Sequence, residues 1–373
     1  MIFVILAKTI IPYLGLLKIE NPMKTLLVLF AATLFLFGTI QCQKDDDPEP
    51  QEETHDPEPY DIEIPHGFPD MDIPEDNPMT HEGVELGRML YYDPVLHPEK
   101  DRSCATCHQQ EYGFTEPDSE VLPHINLGWS DHFLWDGREE AKTLEEINIF
   151  EIETFFGTDL EDLNEHPDYP ELFEEAFGKG GDDDITVEMV AKAISQFMRT
   201  QISADSKFDK FRRGEAQLTP AEQRGYEIFF SEPRVVSGSH QPGGDCFHCH
   251  AGVTFTADDF FNTGLDSTYG EHNKGYFVVT GDSSDLGAFK APTLRNAELR
   301  EGYMHDNRFS TLREVVEFYN SGGHNTPFTD PFMKTAGRGG LQLHESEKED
   351  LIAFLKTLTD ESFIEDPDLS DPF

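Results

Sequence analysis

The sequence predicts a mostly α-helical protein of two domains, and three observations support this fold class. The chain has 373 residues, which is enough for about two domains of ordinary size once a targeting segment is subtracted. Stretches at 185–200, 219–230 and 346–358 carry apolar residues at helical spacing. A short motif, Cys-x-x-Cys-His, occurs once in each half of the chain. We therefore expect two mainly helical domains, each organised around one copy of the motif.

Three of the predicted helices have recognisable first residues. Thr186 is placed to cap the amphipathic stretch VEMVAKAISQFMRT. Thr219 and Glu222 have the spacing of a capping box, in which each side chain satisfies a backbone N–H of the first turn. Ser346 and Glu349 repeat that spacing before the last apolar stretch. These signals predict where the three helices begin.

The two motifs indicate covalently attached haem. In a c-type cytochrome, two cysteine thiols bond to the haem vinyl groups and the adjacent histidine ligates the iron. A redox-active thiol pair does not require the histidine, and a zinc site would leave both histidines unused. An exported protein with four cysteines could also form two disulfides, but that reading does not explain the histidines. We therefore predict two haem-attachment sites: Cys104, Cys107 and His108 in the first half, and Cys246, Cys249 and His250 in the second.

Residues 1–42 are predicted to be a targeting segment. Met23 begins a stretch with a basic residue, an apolar run and small residues before Cys42, which is the layout of a secretory signal, and Met23 is the expected natural start. Cys42 and the acidic residues after it resemble a bacterial lipoprotein junction, so we expect a lipid anchor there. A membrane-spanning anchor formed by residues 1–40 is the alternative. Either way, the body of the protein is expected in the bacterial cell envelope, in the periplasm or tethered to a membrane.

The charge of the chain restricts its partners. The formal net charge is −45, so nucleic acid and anionic membrane surfaces are excluded as partners by repulsion. Residues 43–76 are especially acidic and rich in proline, and this composition predicts a disordered tether. The folded body is then expected in residues 77–373.

The phrases around the motifs resemble one known family. CATCHQQEYGFT, FLWDGREEAKTLEE and LGAFKAPTLRNAELREGYMHDNRFSTLREVVEFYN, in this order, are similar to the bacterial di-haem cytochrome c peroxidases and the related MauG-type enzymes. The resemblance implies two cytochrome c-like helical domains, each with one covalently bound c-type haem. Residues 77–210 would be the peroxidatic domain, and residues 211–373 the electron-transfer domain.

The resemblance also implies roles for single residues. His108 would be the proximal ligand of the haem that reacts with peroxide, and His250 that of the electron-transfer haem. Trp135 matches a tryptophan lying between the two haems. Tyr319 aligns with the position that provides the far-side ligand of the second haem, which is methionine in peroxidases and tyrosine in the MauG-type branch. Met304 is a rival for this ligand position.

Two side chains near the first haem follow from the same alignment. Glu153 is the expected proton shuttle for cleavage of the peroxide bond, and Glu151 is the alternative. His124 lies where some relatives carry a removable distal histidine. Since its phrase aligns better with one in which the position is apolar, we expect a permanently five-coordinate first haem.

The family's calcium ion implies a third cofactor. Asn126 fits the side-chain ligand, and Arg300 and Gly302 fall at the positions that ligate through backbone carbonyls. Carbonyl ligation does not depend on residue type, so this expectation depends on the alignment alone. The cofactors predicted are thus two covalent haems c and one calcium ion.

Three functions are consistent with the sequence. The first is a di-haem peroxidase that reduces hydrogen peroxide to water with electrons from a small cytochrome or cupredoxin, relayed from the C-terminal haem to the N-terminal haem. The second is a MauG-like enzyme that uses peroxide to oxidise a residue of a partner protein. The third is an electron-carrier cytochrome. Whether the protein forms a homodimer is left open by the sequence.

Overall fold

The computed structural model describes residues 56–178, 184–236, 239–333, 335 and 339–373. They belong to one unit of the chain, His55–Phe373. The predicted targeting segment with Cys42, and the first part of the predicted tether, lie outside the described residues. Within them, no helix combines the length and the apolar character needed to cross a membrane.

The fold is mostly helical, as predicted, with a few very short strands. The α-helices are, in chain order, α1 (His81–Tyr92), α2 (Cys104–Cys107), α3 (Leu144–Phe150), α4 (Glu161–Asn164), α5 (Tyr169–Phe177), α6 (Val187–Thr200), α7 (Lys207–Arg212), α8 (Pro220–Phe229), α9 (Phe277–Thr280), α10 (Leu312–Ser321), α11 (Glu345–Lys356) and α12 (Glu361–Ile364). One π-helical turn, Glu151–Phe156, continues α3. Two antiparallel pairs of strands complete the structure: β1 (Arg234–Val236) with β2 (Ser239–Gln241), and β3 (Phe260–Phe261) with β4 (Phe289–Lys290).

Two of the three predicted helix starts are confirmed, and the third is wrong by two residues. Thr186 caps α6, and Thr219 caps α8 with a complete capping box. Helix α11 begins earlier than expected, because the carboxylate of Glu347 accepts a hydrogen bond from the backbone N–H of His344 at 2.7 Å. His344, rather than Ser346, is therefore the N-cap residue.

The described chain has two hydrophobic cores, which we call the first core and the second core. The first core extends from Leu86 to Met198 and also includes Phe363 and Leu369 from the C-terminal tail. The second core lies between residues 208 and 358. The tail thus returns to the first core after the second core is complete, which ties the two halves together.

Both cores contain the same helix crossing, made at a glycine. In the first, a Cβ on Gly87 of α1 would lie 1.9 Å from the carbonyl oxygen of Ala193 in α6. In the second, a Cβ on Gly225 of α8 would lie 1.9 Å from the carbonyl oxygen of Asp350 in α11. Only glycine permits backbones to approach so closely. The two halves are therefore built on one plan, with a pair of crossed helices framing each motif.

The predicted tether ends earlier than the sequence suggested. From residue 56 the chain packs on the body: the Tyr60 N–H bonds to the Met79 carbonyl at 3.0 Å, and Met71 is buried. Phe68 packs against Trp129 with ring centroids 4.9 Å apart and planes inclined by 54°. Disorder over residues 56–76 is thus a wrong prediction, because a few apolar side chains anchor this acidic segment.

Candidate active site

The first motif presents two thiols on one helical turn and a half-buried imidazole after it. Cys104 and Cys107 begin and end α2, so they face the same side, one turn apart. His108 Nδ1 lies 3.0 Å from the Phe114 carbonyl oxygen, which can only accept, so Nδ1 carries the proton. Burial lowers the pKa of His108 to about 4. The imidazole is therefore neutral, with its Nε2 lone pair available to a metal.

The second motif repeats this arrangement with different partners. Cys246–His248 is a short 3₁₀ turn, and Cys249 follows it directly. His250 Nδ1 lies 3.1 Å from the carbonyl oxygen of Pro292, and burial lowers the pKa of His250 to about 4. None of the four motif cysteines forms a disulfide. Each motif thus offers two thiols and a neutral, oriented imidazole.

A cavity with mainly apolar walls opens at the second motif. Cys246, Cys249 and His250 line it, together with Tyr319 from α10 and Met304 from the preceding loop. Burial raises the pKa of Tyr319, and Cys249 and Cys246 add smaller contributions to this rise. Tyr319 is therefore close to the motif, and two candidate ligands, a phenol and a thioether, share one cavity with His250.

Trp135 lies at the boundary between the halves. It lines the cavity of the second motif and also a smaller neighbouring cavity, formed by residues 112–125 and 292–304. Its Nε1–H donates to the Glu120 carbonyl at 2.5 Å, and its own carbonyl accepts from the Lys290 N–H at 2.9 Å. The indole is thus held by Glu120 of the first half, and the backbone of Trp135 is held by Lys290 of the second half.

Two glutamates near the first motif have different surroundings. Glu151, at the start of the π-helical turn, is half-buried, and burial raises its pKa to about 7, with a smaller contribution from Glu139. Burial raises the pKa of the Cys104 thiol, and the charge of Glu151 adds a smaller rise, so the two side chains are near one another. Glu153, the residue favoured by the alignment, is exposed. A carboxyl group that titrates near neutral pH beside a cofactor motif suits proton transfer better than a solvated one.

His124 lies beside His108. The two rings are stacked with centroids 3.4 Å apart and planes inclined by 17°, and His124 Nδ1 lies 3.1 Å from the Tyr91 hydroxyl. A ligand on the far side of the iron would have to approach His108 end-on, across the porphyrin. The observed stacking therefore does not present His124 as the sixth ligand.

Comparison with known proteins identifies the family. The model of the di-haem cytochrome c peroxidase family matches residues 81–217. MauG, a methylamine utilization protein of Methylorubrum extorquens, is 31% identical over 302 residues, which cover 76% of this chain and 80% of MauG. The chain belongs to the di-haem cytochrome c peroxidase and MauG family. It is therefore an oxidoreductase of the peroxidase type.

Both branches of the family are among its relatives. A cytochrome c551 peroxidase of Nitrosomonas europaea is 30% identical, over 76% of this chain and 81% of the relative. Among solved structures, a MauG-like protein associated with microbial copper homeostasis is 32% identical with a TM-score of 0.74. The match covers 84% of this chain and 99% of that protein. Sequence identity alone does not separate the two branches.

The motif residues fit the haems that the family name specifies. In both motifs the spacing, the neutral histidine and the proton on Nδ1 suit thioether attachment and iron ligation. At the second motif, an apolar cavity lies over the histidine. Cys104, Cys107 and His108 would hold one haem, and Cys246, Cys249 and His250 the other.

The predicted calcium ligands do not fit a calcium ion as they are arranged. Asn126 Oδ1 accepts the Ser203 N–H at 2.9 Å. The Arg300 carbonyl accepts from the Tyr303 hydroxyl at 2.8 Å. The Gly302 carbonyl accepts from the guanidinium of Arg300 at 3.0 Å. All three predicted ligand oxygens thus have donors already, and one of these donors is itself a cation.

Some groups of the site could not be found in the sequence. The orienting partners of His108, His250 and Trp135 are the carbonyl oxygens of Phe114, Pro292 and Glu120. Every residue has a carbonyl group, so no residue type marks them. The importance of the Arg300 side chain was missed for another reason: the alignment assigned a role only to its carbonyl group.

Proposed function

We propose that this protein is a di-haem enzyme of the bacterial cell envelope that uses hydrogen peroxide to oxidise a partner protein, in the manner of the MauG-type branch. The observation that carries this choice is Tyr319 in the cavity of the second motif. A phenolate oxygen is a hard ligand that favours the higher oxidation states of iron, while a thioether favours the reduced state. An enzyme that stores oxidising equivalents for a protein substrate needs a ligand that favours the higher oxidation states, and the phenolate is such a ligand.

The first motif is the proposed site of peroxide reaction. When bound, the haems supply the redox chemistry: binding and reduction of peroxide at the first, and a second redox centre at the other. The protein's part at the first site is to orient His108 through the Phe114 carbonyl and to move a proton. Glu151 takes the proton from the near oxygen of the peroxide and gives it to the leaving oxygen. Its pKa of about 7 suits both transfers.

Trp135 is the proposed path between the two centres. Its indole lines the cavity of the second motif and contacts the loop that follows the first motif. One hydrogen bond holds the indole to Glu120 in the first half, and one holds the Trp135 backbone to Lys290 in the second. An oriented aromatic ring in this position can relay charge between the halves.

The proposal is tested with purified holoprotein and a pair of cavity variants. Tyr319→Phe removes the phenolate and Met304→Leu removes the thioether, and both side chains line the same cavity. We expect peroxide to change the EPR spectrum of the wild type at both haems. The change at the second haem should be lost in Tyr319→Phe and kept in Met304→Leu. A change at the second haem that is kept in Tyr319→Phe and lost in Met304→Leu would contradict the proposal.

Met304 supports a second candidate function. If its thioether were the ligand, the protein would act as a peroxidase fed by a small cytochrome or cupredoxin. Sustained peroxide turnover with a reduced cytochrome, abolished in Met304→Leu, would establish this alternative. Failure of peroxide turnover with every reduced donor, together with the Tyr319 dependence above, supports the MauG-type function.

A further inference from the structure

The side chain of Arg300 makes an unusual set of contacts. Its guanidinium donates to the carbonyl oxygens of Ser119 and Val121, each at 2.8 Å, and to the Thr115 hydroxyl at 2.9 Å. The fourth acceptor is the Gly302 carbonyl at 3.0 Å. Four neutral oxygens therefore surround one half-buried positive charge, as they would surround a metal cation.

Arginine in a protein interior is usually paired with a carboxylate. Among the described residues, no carboxylate lies within ion-pair distance of Arg300, and burial lowers the pKa of its guanidinium. The group remains charged, because arginine does not lose its proton in proteins. Arg199 and Arg295, which are more deeply buried than Arg300, are bonded to Glu145 and Asp209. Arg300 differs from them in being neutralised by oxygen dipoles alone.

The acceptors of Arg300 come from both halves of the chain. Gly302 belongs to the second half, while residues 115–121 belong to the loop after the first motif. A backbone bond from the Glu301 N–H to the Pro117 carbonyl at 2.8 Å closes the same junction. Arg300 thus joins the two halves at the point where the alignment leads us to expect calcium.

The clamped loop also holds the cofactor residues. Its first residue, Phe114, orients His108 through a 3.0 Å hydrogen bond, and Glu120, between two acceptors of Arg300, receives the Trp135 indole N–H. A shift of this loop would therefore move the proximal imidazole and the bridging indole together. Displacements of about 1 Å at such positions cost on the order of a hundredfold in rate.

We propose that the guanidinium of Arg300 is the built-in bridging cation of this protein, takes the place of the family's calcium ion, and positions His108 and Trp135. The chain is accordingly a calcium-independent member of its family. Arg300 is a positioning residue, acting through the loop at 114–121.

Two measurements test this proposal, and the first needs no variant. Wild-type holoprotein is treated with EGTA and desalted, its calcium content is measured, and its resting EPR spectrum is compared with that of untreated protein. We expect substoichiometric calcium before treatment and an unchanged spectrum after it. One tightly held calcium per chain, with a spectrum that changes when it is removed, would overturn the proposal.

The second measurement compares Arg300→Gln with Arg313→Gln, which removes a half-buried charge that α10 pairs with Glu345 and Glu349 of α11. Arg300→Gln should alter the resting EPR signal of the first haem and slow the spectral response to peroxide by about tenfold to a hundredfold. In Arg300→Lys, the EPR signal and the rate of the spectral response should lie between those of Arg300→Gln and the wild type. Arg313→Gln should change neither the signal nor the rate. A wild-type spectrum in Arg300→Gln would refute the positioning role. Calcium content and the resting spectrum do not depend on what the enzyme oxidises, so these results are separable from those for the proposed function.

Discussion

His108 and His124 lie face to face, with ring centroids 3.4 Å apart and an interplanar angle of 17°. Both imidazoles are half-buried and burial lowers both pKa values, and the charge of a protonated His108 would lower the pKa of His124 further. Two neutral rings can stack without repulsion. The pair therefore supports the predicted proximal histidine from the side, through ring contact rather than through a ligand position.

Replacing His124 should thus leave the coordination of the first haem unchanged. In His124→Phe the aromatic stack is kept and the imidazole nitrogens are lost. We expect the resting ferric protein to show the same high-spin EPR signal as the wild type. If His124 were a sixth ligand, the wild type would be low-spin at this haem and the variant would become high-spin.

Glu151 and Glu153 form a matched pair for testing proton transfer. Glu151→Gln should slow the reaction with peroxide by about 10² to 10⁴-fold, the usual contribution of a general acid–base group. Glu153→Gln makes the same replacement at an exposed carboxylate and should have little effect on the rate of this reaction. Stopped-flow absorbance after mixing with peroxide measures the reaction rates of both variants. Equal losses in the two variants would remove Glu151 from the mechanism.

The same glutamate predicts a pH dependence. The base that accepts the first proton is the carboxylate, and burial raises the pKa of Glu151 to about 7. The rate of peroxide reaction should therefore rise as the pH increases through about 7, and fall below it as the carboxylate is protonated. In Glu151→Gln this step in the pH–rate profile should disappear, whereas in Glu153→Gln it should remain.

Trp135 should be required for communication between the haems. The chain contains two tryptophans, and Trp129, whose indole N–H bonds to the Pro69 carbonyl at 2.9 Å, lines neither cavity described above. We expect Trp135→Phe to slow the spectral change at the second haem by about tenfold, equivalent to about 1.4 kcal/mol. Trp129→Phe should leave it unchanged. Equal rates in Trp135→Phe and the wild type would rule out the indole as the path.

The paired glycine crossings make a prediction about stability. Gly87→Ala and Gly225→Ala each place a methyl group where a backbone carbonyl lies 1.9 Å away, so the crossed helices must separate. Overpacking of this kind typically costs about 1–3 kcal/mol, and occasionally more. Thermal unfolding of the holoprotein should show lower midpoints for both variants, and an unchanged midpoint for Gly270→Ala. Wild-type midpoints in the crossing variants would mean that the helices adjust without cost.

The sequence revealed those parts of the fold and site that depend on residue type. Thr186 and Thr219 identified two helix starts because their hydroxyl groups cap N–H groups that few other side chains satisfy. The cysteines and histidines marked both motifs because thiols that bond to haem and an imidazole that ligates iron are also specific to residue type. His344 was missed as a cap because histidine is not a preferred N-cap residue. The order in residues 56–76 was missed because Phe68 and Met71 find partners distant in the sequence.

The choice between Glu151 and Glu153 shows the same limit. The phrase that marks the proton shuttle in relatives lacks its proline here, so the alignment is free to shift by two residues. Burial separates the two carboxylates, since one is half-buried beside Cys104 and the other is in solvent. Burial is a property of the folded chain, and the π-helical turn that sets it has no clear sequence signature.

The central claim is that two haems are attached to one polypeptide through the two motifs. Intact-mass spectrometry of denatured protein, produced in a host that matures c-type cytochromes, measures this most directly. Two haem groups should add to the polypeptide mass. Cys107→Ser and Cys249→Ser should each weaken attachment at their own motif and leave the other haem in place. A polypeptide without added mass, or with a single haem that survives both substitutions, would contradict the account.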